Sequence, residues 1–190
     1  MDVAYLEEGT QIADAFRNCF VLTWDRFQIK YKDWITEMNR RNYPIDKQWY
    51  EQSYMWDRMD PTSPGVSMKE ALDFLREHSG TVLFMAEKGA REFFQGAKTI
   101  DFIARADSHQ LADRIEFEWH ESYKSVGQDP GIPDALPDDL YVFDLSMSWC
   151  VVFTHETTDI EAEKAGDWMK AAQSRYCILD RKPPRKEAER

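Results

Sequence analysis

Two β-rich runs, LYVFD at 140–144 and WCVVFTHE at 149–156, are separated only by LSMS, and they constrain the fold more than any other part of the chain. Runs of β-branched and aromatic residues with so short a connection predict an antiparallel hairpin, Leu140 to Asp144 and Trp149 to Thr154. The second run is apolar at every position from Trp149 to Phe153, whereas a half-solvated strand would alternate apolar with polar. It is therefore expected inside a sheet covered on both sides, with Trp149 as a packing residue.

The cover must come from helices. Phe16, Phe20, Trp24, Phe27, Tyr31, Trp34 and Met38 recur at steps of three and four, which lays them along one side of a helix from about Gln11 to about Arg40. The other side carries Asp25, Arg26, Lys32, Asp33 and Glu37, mixed in sign, unlike a membrane-surface helix. After Tyr43-Pro44, Asp46 is placed as an N-cap, with Ile45 and Tyr50 as a hydrophobic staple, for a second helix carrying Trp49, Met55, Trp56 and Met59. The run Asp60-Pro61-Thr62-Ser63-Pro64-Gly65 breaks it and is the strongest internal boundary. Ser67-Met68-Lys69-Glu70 is a capping box; Met68, Ala71, Leu72 and Leu75 follow at helical spacing until Ser79-Gly80. TVLFMA at 81–86 then reads as a strand.

Residues 87–98 are ambiguous, and 99–104 fit an edge strand or more helix. Asp107 or Ser108 can cap a helix to about Val126 with Leu111, Ile115 and Trp119 on one side. Residues 127–137 are loop, and RYCIL at 175–179 is an expected last strand. The predicted fold class is α+β, a small, mainly antiparallel sheet of three to five strands covered by helices, with a helical, aromatic-rich N-terminal part. One domain is expected over 1–180, with a helical part at 1–60, a mixed part at 67–180 and a charged tail at 181–190.

Composition agrees with a packed core, since seven Trp, eight Tyr and eleven Phe occur in 190 residues, far more large rings than a disordered chain carries. Three cysteines, Cys19, Cys150 and Cys177, lack metal-ligand spacing, and two of them sit in apolar runs where a thiol acts as a small hydrophobe. A reducing cytoplasm is the expectation. The first residues carry acids where a secretory signal needs bases, and no apolar stretch approaches the roughly 18–20 residues of a membrane span.

Charge is uneven. Residues 107–163 hold fourteen acids against two bases, Arg114 and Lys124, a net of −12 within a total of −11, so the rest of the chain is close to neutral. Phosphate would be repelled by such a segment, and no nucleic acid is expected as partner. A basic protein would be drawn to it, with Glu118, Glu121, Asp138 and Asp139 as the expected partner-binding residues. A plain solubilising surface is the alternative reading.

The segments LADRIEFEWHESY (111–123), LPDDLYVFDLSMSWCVVFTHET (136–157) and AAQSRYCI (171–178) resemble a group of small bacterial proteins defined only as a domain of unknown function. That resemblance covers roughly residues 100–180 and implies a bacterial, cytoplasmic protein. It supplies no activity and no site residue.

Catalytic signatures are sparse. Gly65-Val66-Ser67-Met68-Lys69 lacks the second glycine of a nucleophile elbow, and neither a phosphate-binding glycine loop nor a paired Cys/His zinc pattern occurs. A Pro137-Asp138 start resembles metal-dependent nucleases, but Ala162 stands where Ala162-Glu163-Lys164 would need an acid. His120 and His155, each followed by a glutamate, remain. Glu116 and His120 are four apart on the predicted helix, so Glu116, His120 and His155 are metal-ligand candidates, and His120, His155 and Glu156 are candidates for acid/base catalysis. The bland reading is an exposed helical pair and a strand-end histidine bonded to nearby backbone. No cofactor is expected, and oligomeric state is left open. Three functions follow: a non-catalytic acidic module of immunity or antitoxin type, a metal-dependent hydrolase using the His-Glu pairs, or a homo-oligomer built on the N-terminal aromatic stripe.

Overall fold

The computed structural model describes residues 4–6, 9–87, 103–124, 136, 137, 139–159, 161, 164 and 174–182, with side chains at 4, 5 and 120–124 left aside. The expected hairpin is present and lies at the centre. Strand β5 (Leu140–Phe143) pairs antiparallel with β6 (Trp149–Thr157), with Tyr141 opposite Val152 and Phe143 opposite Cys150. Asp144 organises the connection. Its Oδ1 accepts from the Ser148 and Trp149 N–H groups at 2.7 and 3.1 Å, and its Oδ2 accepts from the Ser146 and Ser148 hydroxyls. Met147 takes a left-handed backbone, φ 56°, to close the turn.

Around the hairpin, β1 (Ala4–Tyr5), β2 (Gly65–Ser67), β3 (Thr81–Ala86), β4 (Ile103–Asp107) and β7 (Arg175–Arg181) make up, among the described residues, a seven-stranded sheet of order β1-β4-β3-β5-β6-β7-β2 with every pairing antiparallel. The α+β reading holds, but the sheet exceeds the three to five strands expected. β1 and β2, at two and three residues, are too short to show any periodicity, and IARAD in β4 carries an arginine and two alanines where a strand signal needs bulk.

Period-2 alternation sorts the core into two layers. Val82, Phe84, Ala104, Ala106, Val142, Trp149, Val151, Phe153, Cys177 and Leu179 face α5 (Met68–Glu77) and α6 (Ser108–Lys124). Leu83, Met85, Ile103, Tyr141, Phe143, Cys150, Val152 and Ile178 face α1 (Gly9–Phe20) and Met55 and Met59. Helix α5 starts at the predicted capping box, with the Ser67 hydroxyl and Glu70 carboxylate exchanging hydrogen bonds with each other's backbone. Asp107 caps α6, its Oδ1 accepting from the His109 and Gln110 N–H groups at 3.1 Å each.

The N-terminal aromatic stripe is not one helix. α1 stops at Phe20, α2 spans Trp24–Lys30 and α3 spans Lys32–Arg40. Val21 bridges Met59, and the Leu22 N–H donates to the Arg58 carbonyl at 2.8 Å, so tertiary pairing overrides helical continuation there. The break divides the stripe. Phe16 and Phe20 go to the sheet, while Phe27 is wholly buried at the centre of a third cluster with Leu22, Trp24, Tyr31, Ile45, Trp49 and Tyr50. Its ring stacks 4.5 Å from Tyr31 and 6.0 Å from Trp49. Helix α4 (Lys47–Gln52) begins at the predicted cap, where Asp46 accepts from the Trp49 N–H at 2.8 Å, but it ends before Ser53, and a 3-10 turn at Trp56–Arg58 follows. The proposed boundary at 60–65 leads directly into β2, so the helical part and the sheet share one hydrogen-bonded framework. The readings made for 88–102, for 125–135 and for 183–190 fall outside the described residues.

Removing the organiser of the hairpin turn should be costly. Asp144→Ala is expected to destabilise by roughly 1–3 kcal/mol, read by urea unfolding at pH 7, because four donors lose their acceptor. Burial works to raise the Asp144 pKa, but bonds from Ser146, Trp149 and Ser148 outweigh it and the net shift is downward. Its contribution is therefore full above the ordinary carboxylate range and lost as pH falls through the lowered folded value, so the gap between variant and wild type should shrink below about pH 4.

Candidate functional site

His155 lies where regular alternation would not put it. Counting by twos from Trp149, Val151 and Phe153 places it toward α5 and α6, but the register of β6 on β7 shifts between Phe153 and Thr157. At this bulge the Thr154 hydroxyl donates to the Tyr176 carbonyl at 2.7 Å and accepts from the Glu156 N–H at 3.2 Å. A bulge re-aims the side chains that follow it. The His155 ring consequently meets the rings of Tyr54 and Trp56 at 5.0 and 6.0 Å, on the N-terminal side of the sheet.

Asp139, just ahead of β5, holds that imidazole. The His155 backbone N–H donates to Asp139 Oδ1 at 3.1 Å, and Nδ1 lies 2.9 Å from both carboxylate oxygens. Nε2 is 3.6 Å from Glu156 Oε1. Each ring nitrogen thus faces a carboxylate, which orients the ring. Next to this pair, buried Glu87 accepts from the Met55 N–H at 2.8 Å and from the Tyr141 hydroxyl, which in turn accepts from the Trp56 N–H at 3.1 Å. Burial first, then the charge of Glu87, push the Tyr141 hydroxyl well above its usual range, so it is a fixed donor.

Of the predicted metal set, Glu116 and His155 lie on opposite faces of the sheet. Glu116 is tied to Arg76 on α5 at 2.5 Å, in the layer opposite the rings that meet His155. α6 carries His120, whose side chain lies outside the described residues, as does that of Glu121 and the whole of Asp138. Among the described residues no group of three or more His, Cys, Asp or Glu is arranged to hold a metal ion.

Two of the four carboxylates expected to meet a partner point inward. Glu118 is 4 % exposed; it accepts from Arg114 and from the Leu136 N–H at 2.5 Å, anchoring the approach to β5. Asp139 is 9 % exposed and committed to His155. For Glu118 the signal was present in the spacing, because 111, 115, 118 and 119 form one helical stripe.

A cleft beside the Asp139–His155 pair escaped the sequence reading. Tyr31, Trp34, Trp49, Trp56, Asp57 and Asp60 line a cavity of about 190 Å³ between the N-terminal helices and the β7 side of the sheet. Its rings come from α3 and its N-cap, α4, the 3-10 turn and Tyr176 of β7, so no single periodic run could have disclosed it. Asp57 Oδ2 accepts from the Tyr54 N–H at 3.2 Å. Burial, followed by the charges of Glu87 and Glu156, pushes the Asp57 pKa up to about 6 against the opposing Tyr54 bond and Arg58. Asp60 is shifted downward: burial opposes the shift, but bonds from Thr62 and Lys30 outweigh it. Tyr31 rises to about 12 through burial and the charges of Asp60 and Asp57. Two carboxylates, one of them paired with Lys30, therefore border an aromatic-walled space.

No family model, curated protein or solved structure matches this chain.

Asp57 supplies a measurable sign. Because its folded pKa lies above the unfolded value, the folded state binds more protons between about pH 4 and pH 6 and loses stability as pH rises through that window. Asp57→Asn, which keeps the acceptor for Tyr54, should raise stability at pH 7.5 by on the order of 1 kcal/mol. The difference should vanish near pH 4, as read by thermal unfolding across that range.

Proposed function

We propose that this chain is a non-catalytic, protein-binding module that docks on a basic partner, of the kind by which immunity or antitoxin proteins mask an effector in a bacterial cytoplasm. The observation that carries this reading is the cleft, where carboxylates and incompletely covered rings share one surface. Trp34 and Tyr54 are 39 % and 42 % exposed, next to Asp57, Asp60 and Glu156. Aromatic anchors set beside carboxylates are the composition of a protein-docking surface, and the net charge of −11 would steer a cationic partner toward it. This moves the docking surface from the C-terminal acids to the N-terminal helical layer, since Glu118 and Asp139 are spent internally.

The same sign of field argues against nucleic acid as partner. Cys150 and Cys177 are buried free thiols and Cys19 is free, in keeping with a reducing compartment. No helix among the described residues is long and apolar enough to cross a membrane.

Capture experiments with the intact chain test the proposal. A basic protein should be retained at 50 mM salt and lost progressively by 500 mM, with Asp57→Asn/Glu156→Gln retaining at least ten-fold less at equal salt. Retention that is indifferent both to salt and to the double variant would overturn docking through this surface.

A further inference from the structure

We infer that the cavity walled by Tyr31, Trp34, Trp49 and Trp56, with Asp57 and Asp60 in its lining, is a binding site for an alkylammonium group, presented as a lysine side chain of the partner. The inference rests on the docking reading above and specifies what that surface recognises.

Four observations point to this chemistry. First, the rings of the lining meet one another at steep angles, Tyr31 and Trp34 at 68° with centroids 5.9 Å apart and Trp34 and Trp49 at 58° and 5.5 Å, while Tyr31 and Trp49 also stack on buried Phe27. The faces of Trp and Tyr rings attract cations, Trp most strongly. Second, a volume of about 190 Å³ falls below the about 300–1,000 Å³ of sites for whole small molecules. A head group fits where a cofactor would not.

Third, the carboxylates favour a point charge over a planar fork. A guanidinium binds a carboxylate most tightly as a planar fork, with one N–H to each of two accessible oxygens. Asp60 Oδ1 already accepts from the Thr62 N–H and hydroxyl and its Oδ2 pairs with Lys30 at 3.2 Å, while Asp57 Oδ2 accepts from Tyr54. Each carboxylate can add one further contact to an ammonium, as Asp60 already does with Lys30. Fourth, the two carboxylates are unequally balanced: Lys30 pairs with Asp60 at 3.2 Å, whereas Arg58, which lies over the Tyr50 ring at 5.0 Å, acts on Asp57 more weakly than Glu87 and Glu156 do. Asp57 is half-buried, and burial first, then the charges of Glu87 and Glu156, push its pKa upward, so a cation beside it relieves an existing repulsion.

Titration of the intact protein with Nα-acetyl-lysine methylamide, monitored by tryptophan fluorescence and by indole N–H shifts in NMR, tests this directly. Saturable binding in the millimolar range is expected, at least ten-fold weaker for the isosteric neutral 2-aminoheptanoic acid derivative, in which a methyl replaces the ammonium, and for the arginine derivative. Asp57→Asn and Trp34→Leu should each weaken lysine binding about ten-fold; Trp34 is partly exposed and leucine keeps apolar bulk, so the second variant separates ring electrostatics from burial. A putrescine arm distinguishes sources: affinity within ten-fold of the lysine derivative supports a side chain of a partner, and a much tighter fit assigns the site to free polyamines and overturns the partner lysine. Equal binding of the neutral isostere, or no saturation by 50 mM, would overturn the ammonium site. Salt-sensitive capture of a basic protein alongside that failure would leave the docking reading standing, whereas lysine binding without any such capture would leave the pocket and remove the partner.

Discussion

The burial of β5 and β6 on both faces is the constraint from which the rest of the architecture follows. Tyr141, Val142, Phe143 and every residue from Cys150 to Phe153 are fully buried, so each face of the hairpin needs its own cover. One cover comes from α5 and α6, after the chain has passed residue 67. The other has to come from the N-terminal segment, which explains why helices so early in the chain pack against strands formed more than a hundred residues later. Each buried ring or aliphatic chain stabilises by roughly 1.5–3 kcal/mol from area alone, so neither layer is dispensable.

Polar groups fix how the N-terminal cover sits. Glu87, at the end of β3, takes hydrogen bonds from Met55 N–H and Tyr141, and Tyr141 takes one from Trp56 N–H. Such a satisfied network inside an apolar layer sets register in a way that apolar contact cannot. It also holds Trp56 and Asp57 beside the bulge that re-aims His155. The cleft therefore owes its shape to three separate parts of the sequence meeting at one buried carboxylate.

Local signals in the sequence were legible because their causes are local. The capping box at Ser67, the Asp46 cap, the hairpin and the Asp107 cap each depend on residues within a few positions, and each is present. What escaped notice has distant causes. The interruption after Phe20 depends on Leu22 bonding to Arg58, β1 and β2 exist only because β4 and β7 offer them an edge, and the orientation of His155 depends on how β6 slips against β7. Acidity along the chain was likewise a poor guide to the surface, since Glu118 sits on the apolar stripe of α6 and serves as an internal anchor.

Among the described residues the sheet ends in stubs. On one side a two-residue strand covers part of β4, and on the other a three-residue strand closes β7, with Gly65 lying so near Tyr176 that an added Cβ would fall 2.6 Å from its ring. Edges this short give another chain little ladder to extend, which guards against runaway strand addition. On the flanks of the sheet a single side-chain substitution can change what the surface attracts without disturbing the backbone that carries it.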